Sequence, residues 1–394
     1  MSAPLPGRTA RDADSTLLFG LFALLLAFSL ILHQLWWDGF EVRSPHFLVI
    51  LAALWVALRP MSVGRFLTMT AAEVFAVATD MPDVGSHTLL VLVSGSCLLA
   101  YVGWTARRSR QLPDPGTLFE RYAPFFGVQL LLVYAVAAIA KINTGFFDIQ
   151  SSCAASISRQ VAWFHPPLLD GAWRVAPSIW GTVALEVALP VLLAVRRTRL
   201  IGLVLGGVLH IVLALAGNVP FSALALALYV VFLPPDAPAR LRALIAGSRG
   251  VGCWAMALRG WTRSPAAFPV SVGCWLAGAA TFTDAPADRP ALIAYGTRLV
   301  LVAVLVAGIL FVLGLARGGS QGHEPGALRL GHPIFALGIL LLAVNSVSPY
   351  VGLKTESSFT MFSNLHTEQG SWNHLLIPEA VRVFPYQDQL VRIT

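Results

Sequence analysis

Charge is scarce in this 394-residue chain: 12% of its residues are Asp, Glu, Lys or Arg, against 56% that are apolar. That balance excludes an ordinary soluble domain. Lysine is rarer still, since of the 27 basic residues only Lys141 and Lys354 are lysine and the rest are arginine. The four cysteines, Cys97, Cys153, Cys253 and Cys274, are scattered and contain no CxxC pair, so neither a disulfide framework nor a zinc site follows from them. No internal repeat, low-complexity tract or soluble catalytic signature is present, and no metal centre is expected.

What the chain does have is long apolar runs. Several approach the roughly 20 residues needed to cross a bilayer, and the reading is an all-α, polytopic transmembrane helix bundle. Candidate spans cover 16–35, 46–58, 66–79, 87–104, 122–141, 177–195, 199–217, 220–234, 268–282, 295–316 and 332–350. The second, third and ninth are short, which brackets the count at about nine to eleven. The first span follows a basic leader, lacks an obvious cleavage site and reads as retained. The formal charge of +7 would suggest nucleic acid in a soluble protein, but here the arginines sit at span ends. They report topology, and no nucleic-acid partner is expected. With a cytoplasmic N-terminus, Arg59 and Arg65, Arg107 to Arg110, Arg196 to Arg199 and Arg317 all fall inside. The acidic turns Asp80–Asp83 and Asp284–Asp288 then fall outside. Residues 1–350 form the helical domain, 235–267 a cytoplasmic connection at the interface, and 351–394 a short polar tail outside, too small for a core of its own.

The polar residues within the spans gather toward the outer side. At about 1.5 Å of rise per residue, His87 opens an inward-running span at the depth where Lys141 ends an outward-running one. Glu186 and His210 lie within their helices on the same side, and Asn218 and Asn345 lie nearby. A cavity opening away from the cytoplasm follows. Each residue carries two readings. Lys141 either snorkels to the headgroups or is kept for chemistry. His87 is either an interfacial helix-start residue or a cavity residue. His210, on a helix whose Gly202 and Gly206 mark a close contact, either fixes packing or takes part in a site. Glu186 needs a partner or a proton, in a structural pair or in a direct role, and Pro190 below it can kink its helix.

Several strings resemble one family. YAVAAIAKINTGFF carries an A-x-x-K-I-N motif ending in Lys141 and Asn143. WGTVALEVALPVLLAVRRTR carries Glu186 four residues before Pro190 and an R-x-x-R turn at Arg196 and Arg199. GGVLHIVLALAGNVPFS carries His210, then Asn218, Phe221 and Ser222. Upstream, MPDVGSHTLLVL holds His87, and downstream SSFTMFSNLHTEQGSWNHLL holds Phe359, Met361 and Phe362. Together with the amphipathic SISRQVAWFHPPLLD, these resemble the vitamin K-dependent gamma-carboxylase-like family, known in bacteria as the horizontally transferred transmembrane domain, along nearly the whole chain.

The resemblance implies a gamma-glutamyl carboxylase-like lyase in a cell membrane, by analogy the bacterial inner membrane. It implies a vitamin K-type hydroquinone (menaquinol) as cofactor, with oxygen and carbon dioxide as co-substrates and a secreted glutamate-containing peptide as partner beside the lipid bilayer. In that family the motif lysine deprotonates the quinol, which reacts with oxygen to give a strong base. That base removes a proton from glutamate before carbon dioxide adds. Lys141 and His87 would be catalytic. Glu186, His210, Asn218, Asn143, Phe359, Met361 and Phe362 would support these two residues and form the substrate cavity. An apolar setting would disfavour the charged lysine and make an amine available, and a dry pocket would protect reactive species from water. The chain departs from the family at Ala140, where carboxylases often have a second lysine, and at Ser86, where they have Asn. It also lacks the long external region of the eukaryotic enzymes. A second function class is a non-catalytic membrane scaffold or maturation partner that binds a lipid, a quinone or a secreted peptide. A transporter is disfavoured by the absence of matching broken helices in two halves.

Overall fold

The computed structural model describes residues 6–37, 40, 42–162, 175–247, 249–282, 289–317, 328–354 and 357–389. Among the described residues there are fifteen α-helices and no strand, the only β-type pairing being a single bridge between Asn143 and His374. The helices are α1 (Pro6–Trp37), α2 (His46–Leu58), α3 (Val63–Thr79), α4 (Ser86–Ser109) and α5 (Pro115–Ala140). They continue with α6 (Thr144–Phe147), α7 (Cys153–Ala162), α8 (Val175–Ala194), α9 (Arg199–Leu215) and α10 (Val219–Tyr229). The last are α11 (Ala237–Gly247), α12 (Arg249–Arg263), α13 (Ala267–Phe282), α14 (Arg289–Arg317) and α15 (Pro333–Val347).

Local chemistry sets many of these limits. Asp114 caps α5 by accepting the Thr117 amide at 2.9 Å, with Pro115 in the first turn where its missing N–H costs nothing. Arg110 ends α4 in the left-handed conformation at φ 59°. Arg199, 8% exposed, donates from Nε to Leu193 O at 2.9 Å and so satisfies a free carbonyl at the end of α8. Asn218 and Pro220 open α10 after Gly217, whose φ of 99° lets the chain reverse.

The expected span count is not reached by length. Five helices are long and apolar enough to cross a membrane: Ala13–Trp37, Ser86–Ser109, Pro115–Ala140, Val175–Ala194 and Ala291–Arg317. A sixth arises if the bent pair Val219–Phe232 and Ala237–Gly247, which turns by 108°, is taken as one. The physical reason is that helices α2, α9, α13 and α15, at 13 to 17 residues, are only about 20–25 Å long, short of the roughly 30 Å hydrocarbon layer. The connection over 235–267 is itself helical, built from α11 and α12. Asp284–Asp288 and the part of the amphipathic segment from 163 onward lie outside the described residues.

Helix α1 packs against α2, α5, α10 and α14, while α9 packs against α8, α10 and α14, and α15 against α4 and α5. The shared core is aromatic. Phe22 lies 5.3 Å from both the Tyr122 and Phe126 rings, and Phe125 stacks on Phe335 at 4.8 Å. The two ends of the bundle differ in chemistry. One end joins His46 to Asp80 at 3.2 Å and His33 to His87 at a ring separation of 5.1 Å. The opposite end joins Ser15 to Glu120 at 2.8 Å and Arg240 to Leu315 O at 3.3 Å. The C-terminal segment folds back onto the first end. There Ser357 Oγ donates to Val84 O, and Asn345 Nδ2 donates to Ser357 O at 2.9 Å. Phe359 is 3% exposed and belongs to the main core.

Candidate functional site

The last residue of the α5 run, Lys141, does not reach water. Its ammonium lies 2.8 Å from Glu186 Oε2 on α8, with the two side chains 4% and 9% exposed. The contact is ionic and not aligned as a hydrogen bond. Longer hydrogen bonds run from Nζ to Met361 O at 3.4 Å and to Ala137 O at 3.5 Å, and the Phe146 ring lies 5.8 Å away. Snorkelling is therefore set aside in favour of the buried pair. An ion pair this dry is held because removing one partner would strand the other.

Asn143, two residues on, is wholly buried and uses all four of its hydrogen-bonding positions. Its Nδ2 donates to Ala140 O at 2.7 Å and to Ser363 O at 2.6 Å. Its Oδ1 accepts from Phe146 N at 2.8 Å and from Asn373 Nδ2 at 3.3 Å. This residue locks the turn after the lysine to the C-terminal segment. It does not line the cavity beside Lys141, and its hydrogen-bonding capacity is already spent.

Lys141 and Glu186 face a cavity of about 70 Å³. Its walls are mainly apolar, including Leu90, Val133, Leu209, Leu213 and Phe221, and its polar groups include His87, Tyr134, Thr182 and Asn218. His87 stands in the first turn of α4. Both its ring nitrogens are buried, and neither has a hydrogen-bond partner among the described residues. A buried imidazole normally spends at least one nitrogen on a partner, so an unspent pair facing a cavity is the feature that asks for a ligand.

The C-terminal segment forms one wall of the cavity. Phe359, Met361 and Phe362 line it, and the Phe359 amide donates to Ser86 Oγ at 3.2 Å. Ser86 thus supplies a hydroxyl that ties α4 to the tail. Ser357, Phe359, Phe362 and Asn364 all have φ between 53° and 63°. Such backbone costs of order 1–3 kcal/mol per non-glycine residue. It persists here because the turn is held from both sides, by Val84 and Ser86 and by Asn143.

His210 does not reach the cavity either. It is wholly buried, with Nε2 2.7 Å from Tyr134 Oη and Nδ1 3.2 Å from Ser222 Oγ. It joins α9 to α5 and α10. The glycines beside it act as anticipated: a Cβ on Gly202 would lie 3.0 Å from Leu193, and one on Gly206 would lie 2.1 Å from Tyr229 Oη. Arg199 lies at the opposite end of the bundle. Tyr134, which the sequence reading missed, stands seven residues before Lys141, two helical turns along one face. That spacing was the available signal.

Of the nine candidate residues, Lys141, His87, Glu186, Asn218, Phe359, Met361 and Phe362 meet around one cavity, and Asn143 and His210 lie one layer behind it. No protein-family model, curated protein or solved structure matches this chain. The fold and site define an all-helical protein, with several helices apolar enough for a membrane, built around a buried lysine–glutamate cavity.

Proposed function

We propose that this protein is an integral-membrane enzyme of the vitamin K-dependent gamma-carboxylase-like family. It binds a menaquinol-type hydroquinone in the Lys141 cavity and acts on a glutamate of a secreted peptide. The observation that carries this reading is His87, with both nitrogens buried and unpaired in an apolar chamber that also holds the Lys141–Glu186 pair. The chamber suits a flat, mostly apolar ring with hydroxyls, a shape the apolar walls can cover and a few polar groups can orient. When bound, such a hydroquinone supplies, with oxygen, the strong base that addition of carbon dioxide to glutamate requires.

The protein's own part is to orient, exclude water and move protons. In this reading Lys141, as the amine, accepts a proton from a hydroxyl in the cavity, and Glu186 holds the ammonium that results. His87 accepts or donates a hydrogen bond at the same chamber. Phe359 and Phe362, held by the tail, keep water out. The shorter apolar helices α2, α9, α13 and α15, with α3 and α10, also enter the layer, giving nine to eleven crossings with the N-terminus cytoplasmic and the tail outside the cell membrane.

Co-expression with a small secreted glutamate-rich protein tests the reaction. Mass spectrometry should find glutamates heavier by one carbon dioxide, and the gain should vanish in Lys141→Met. The closed Lys141–Glu186 pair also fits a non-catalytic scaffold for a lipid or peptide. Unmodified glutamates together with retained hydroquinone binding would decide for that reading.

A further inference from the structure

Behind the cavity wall lies a chain of four buried polar side chains. Tyr229 Oη on α10 is 2.6 Å from Tyr134 Oη on α5, which is 2.7 Å from His210 Nε2 on α9, whose Nδ1 is 3.2 Å from Ser222 Oγ. His210 and Ser222 are fully buried, Tyr134 is 2% exposed and Tyr229 is 6% exposed. Only Tyr134 faces the Lys141 cavity. Packing alone does not call for this chemistry, because phenylalanine at 134 and 229 would fill the same space without placing hydroxyls in the core. Gly206 keeps room for the Tyr229 hydroxyl, which a Cβ would overlap at 2.1 Å. Each member can both give and accept a hydrogen, so the bonds survive when every hydrogen in the chain reverses.

We infer that Tyr134 and His210 form a second proton acceptor of this cavity, distinct from Lys141. A hydroxyl in the cavity gives its proton to Tyr134 Oη while Tyr134 gives its own to His210 Nε2. The products are an imidazolium whose Nδ1–H rests on Ser222 Oγ and an oxyanion that accepts a hydrogen bond from Tyr134. Tyr229 donates to Tyr134 Oη throughout and holds it in place. Tyr134 touches the ligand and is the catalytic residue of the pair, while His210 acts through it. The inference rests on the reading of the cavity as a hydroquinone site. The titratable and charged groups around the chain are Glu186 on α8, Lys141 at the end of α5, His87 on α4, Tyr229 on α10 and, at the outer end of α14, Arg298.

The test uses the full-length protein in nanodiscs with a naphthoquinol mono-methyl ether, whose single hydroxyl changes its ultraviolet absorption on losing a proton. The bound ether should ionise at lower pH in the wild type than in Tyr134→Phe or His210→Gln, by about one pH unit, a tenfold change in the ionisation constant. Tyr229→Phe keeps the Tyr134–His210 bond and should shift the curve by less than half as much. An unchanged curve in Tyr134→Phe, which removes one oxygen and carries the decision if His210→Gln does not accumulate, would overturn the inference. An equal shift in all three variants would assign the effect to packing and overturn it too. Failure of the wild type to bind the ether would overturn the hydroquinone reading and this inference with it, whereas binding with unchanged ionisation would sink the relay alone.

Discussion

At the scale of single residues, the ion pair between Lys141 and Glu186 does most to decide the character of the site. Both side chains are nearly dry, so charge removal at either one leaves an uncompensated partner in a medium that solvates it poorly. Lys141→Met or Glu186→Gln alone should each cost about 3–5 kcal/mol of stability, and the double variant should recover most of that loss. Unfolding in detergent, followed as a double-mutant cycle, measures the coupling. Two single losses that simply add would mean that the 2.8 Å contact is not an energetic pair. A lysine kept only as a headgroup anchor would tolerate methionine; a lysine inside a pair would not.

Between elements, two contacts carry consequences. Gly206 on α9 sits against Tyr229 on α10, where an added Cβ would meet Oη at 2.1 Å and Cζ at 2.7 Å. Gly206→Ala should therefore cost about 1–3 kcal/mol. Adding Tyr229→Phe should restore only part of it, since the ring carbon stays in the way; full rescue, read by the same unfolding assay, would show that only the hydroxyl clashes. The second contact docks the tail. His374 Nε2–H donates to Ile139 O at 3.0 Å, while Nδ1 accepts the Ile377 and Leu376 amides at 2.9 and 3.1 Å. Burial holds this imidazole below the ordinary value of 6.5, with the bond to Ile139 pulling the other way. The folded tail thus binds fewer protons than the unfolded one. Its docking is fully stable above pH 6.5 and weakens as pH falls below that value, because a proton on Nδ1 removes the acceptor for two amides. Protection of the amides of residues 364–377 against hydrogen exchange, taken relative to the intrinsic rate at each pH, should fall as the pH is lowered from about 8 to about 5 in the wild type. The same pH response in His374→Gln would locate the titrating group elsewhere.

For the whole molecule, the two ends of the bundle are chemically distinct, and the cavity, the tail and the His46–Asp80 pair share one of them. The arginine-rich turn at Arg107–Arg110 ends α4 at the other. With Cys97, Cys153, Cys253 and Cys274 replaced, a membrane-impermeant maleimide applied to intact cells should label Val383→Cys in the tail and spare Gln111→Cys until the cells are opened. The reverse pattern would invert the molecule and put the cavity mouth in the cytoplasm. Labelling of both positions in intact cells would mean that the chain between them crosses no sealed layer.

The amino-acid sequence alone determined the apolar helices and many of their limits, because apolar runs bounded by Pro, Gly, Asn and arginine clusters leave little choice locally; α6, α7, α11 and α12, which lack such runs, were not legible in it. Depth along each helix was also legible, which is why Lys141, His87, Glu186 and Asn218 could be placed at one end of the bundle before any contact was known. Whether α2, α9, α13 and α15 cross it was not, since hydrophobicity speaks to composition and these helices are short. Only the tertiary structure decided which groups meet. Rotation about a helix axis and the choice of neighbour depend on packing between segments far apart in the chain. Periodicity therefore could not tell that Glu186 would reach Lys141, that His210 would turn to Tyr134 and away from the cavity, or that the tail would form one of the cavity's walls by using Asn143 and Ser86 as its anchors.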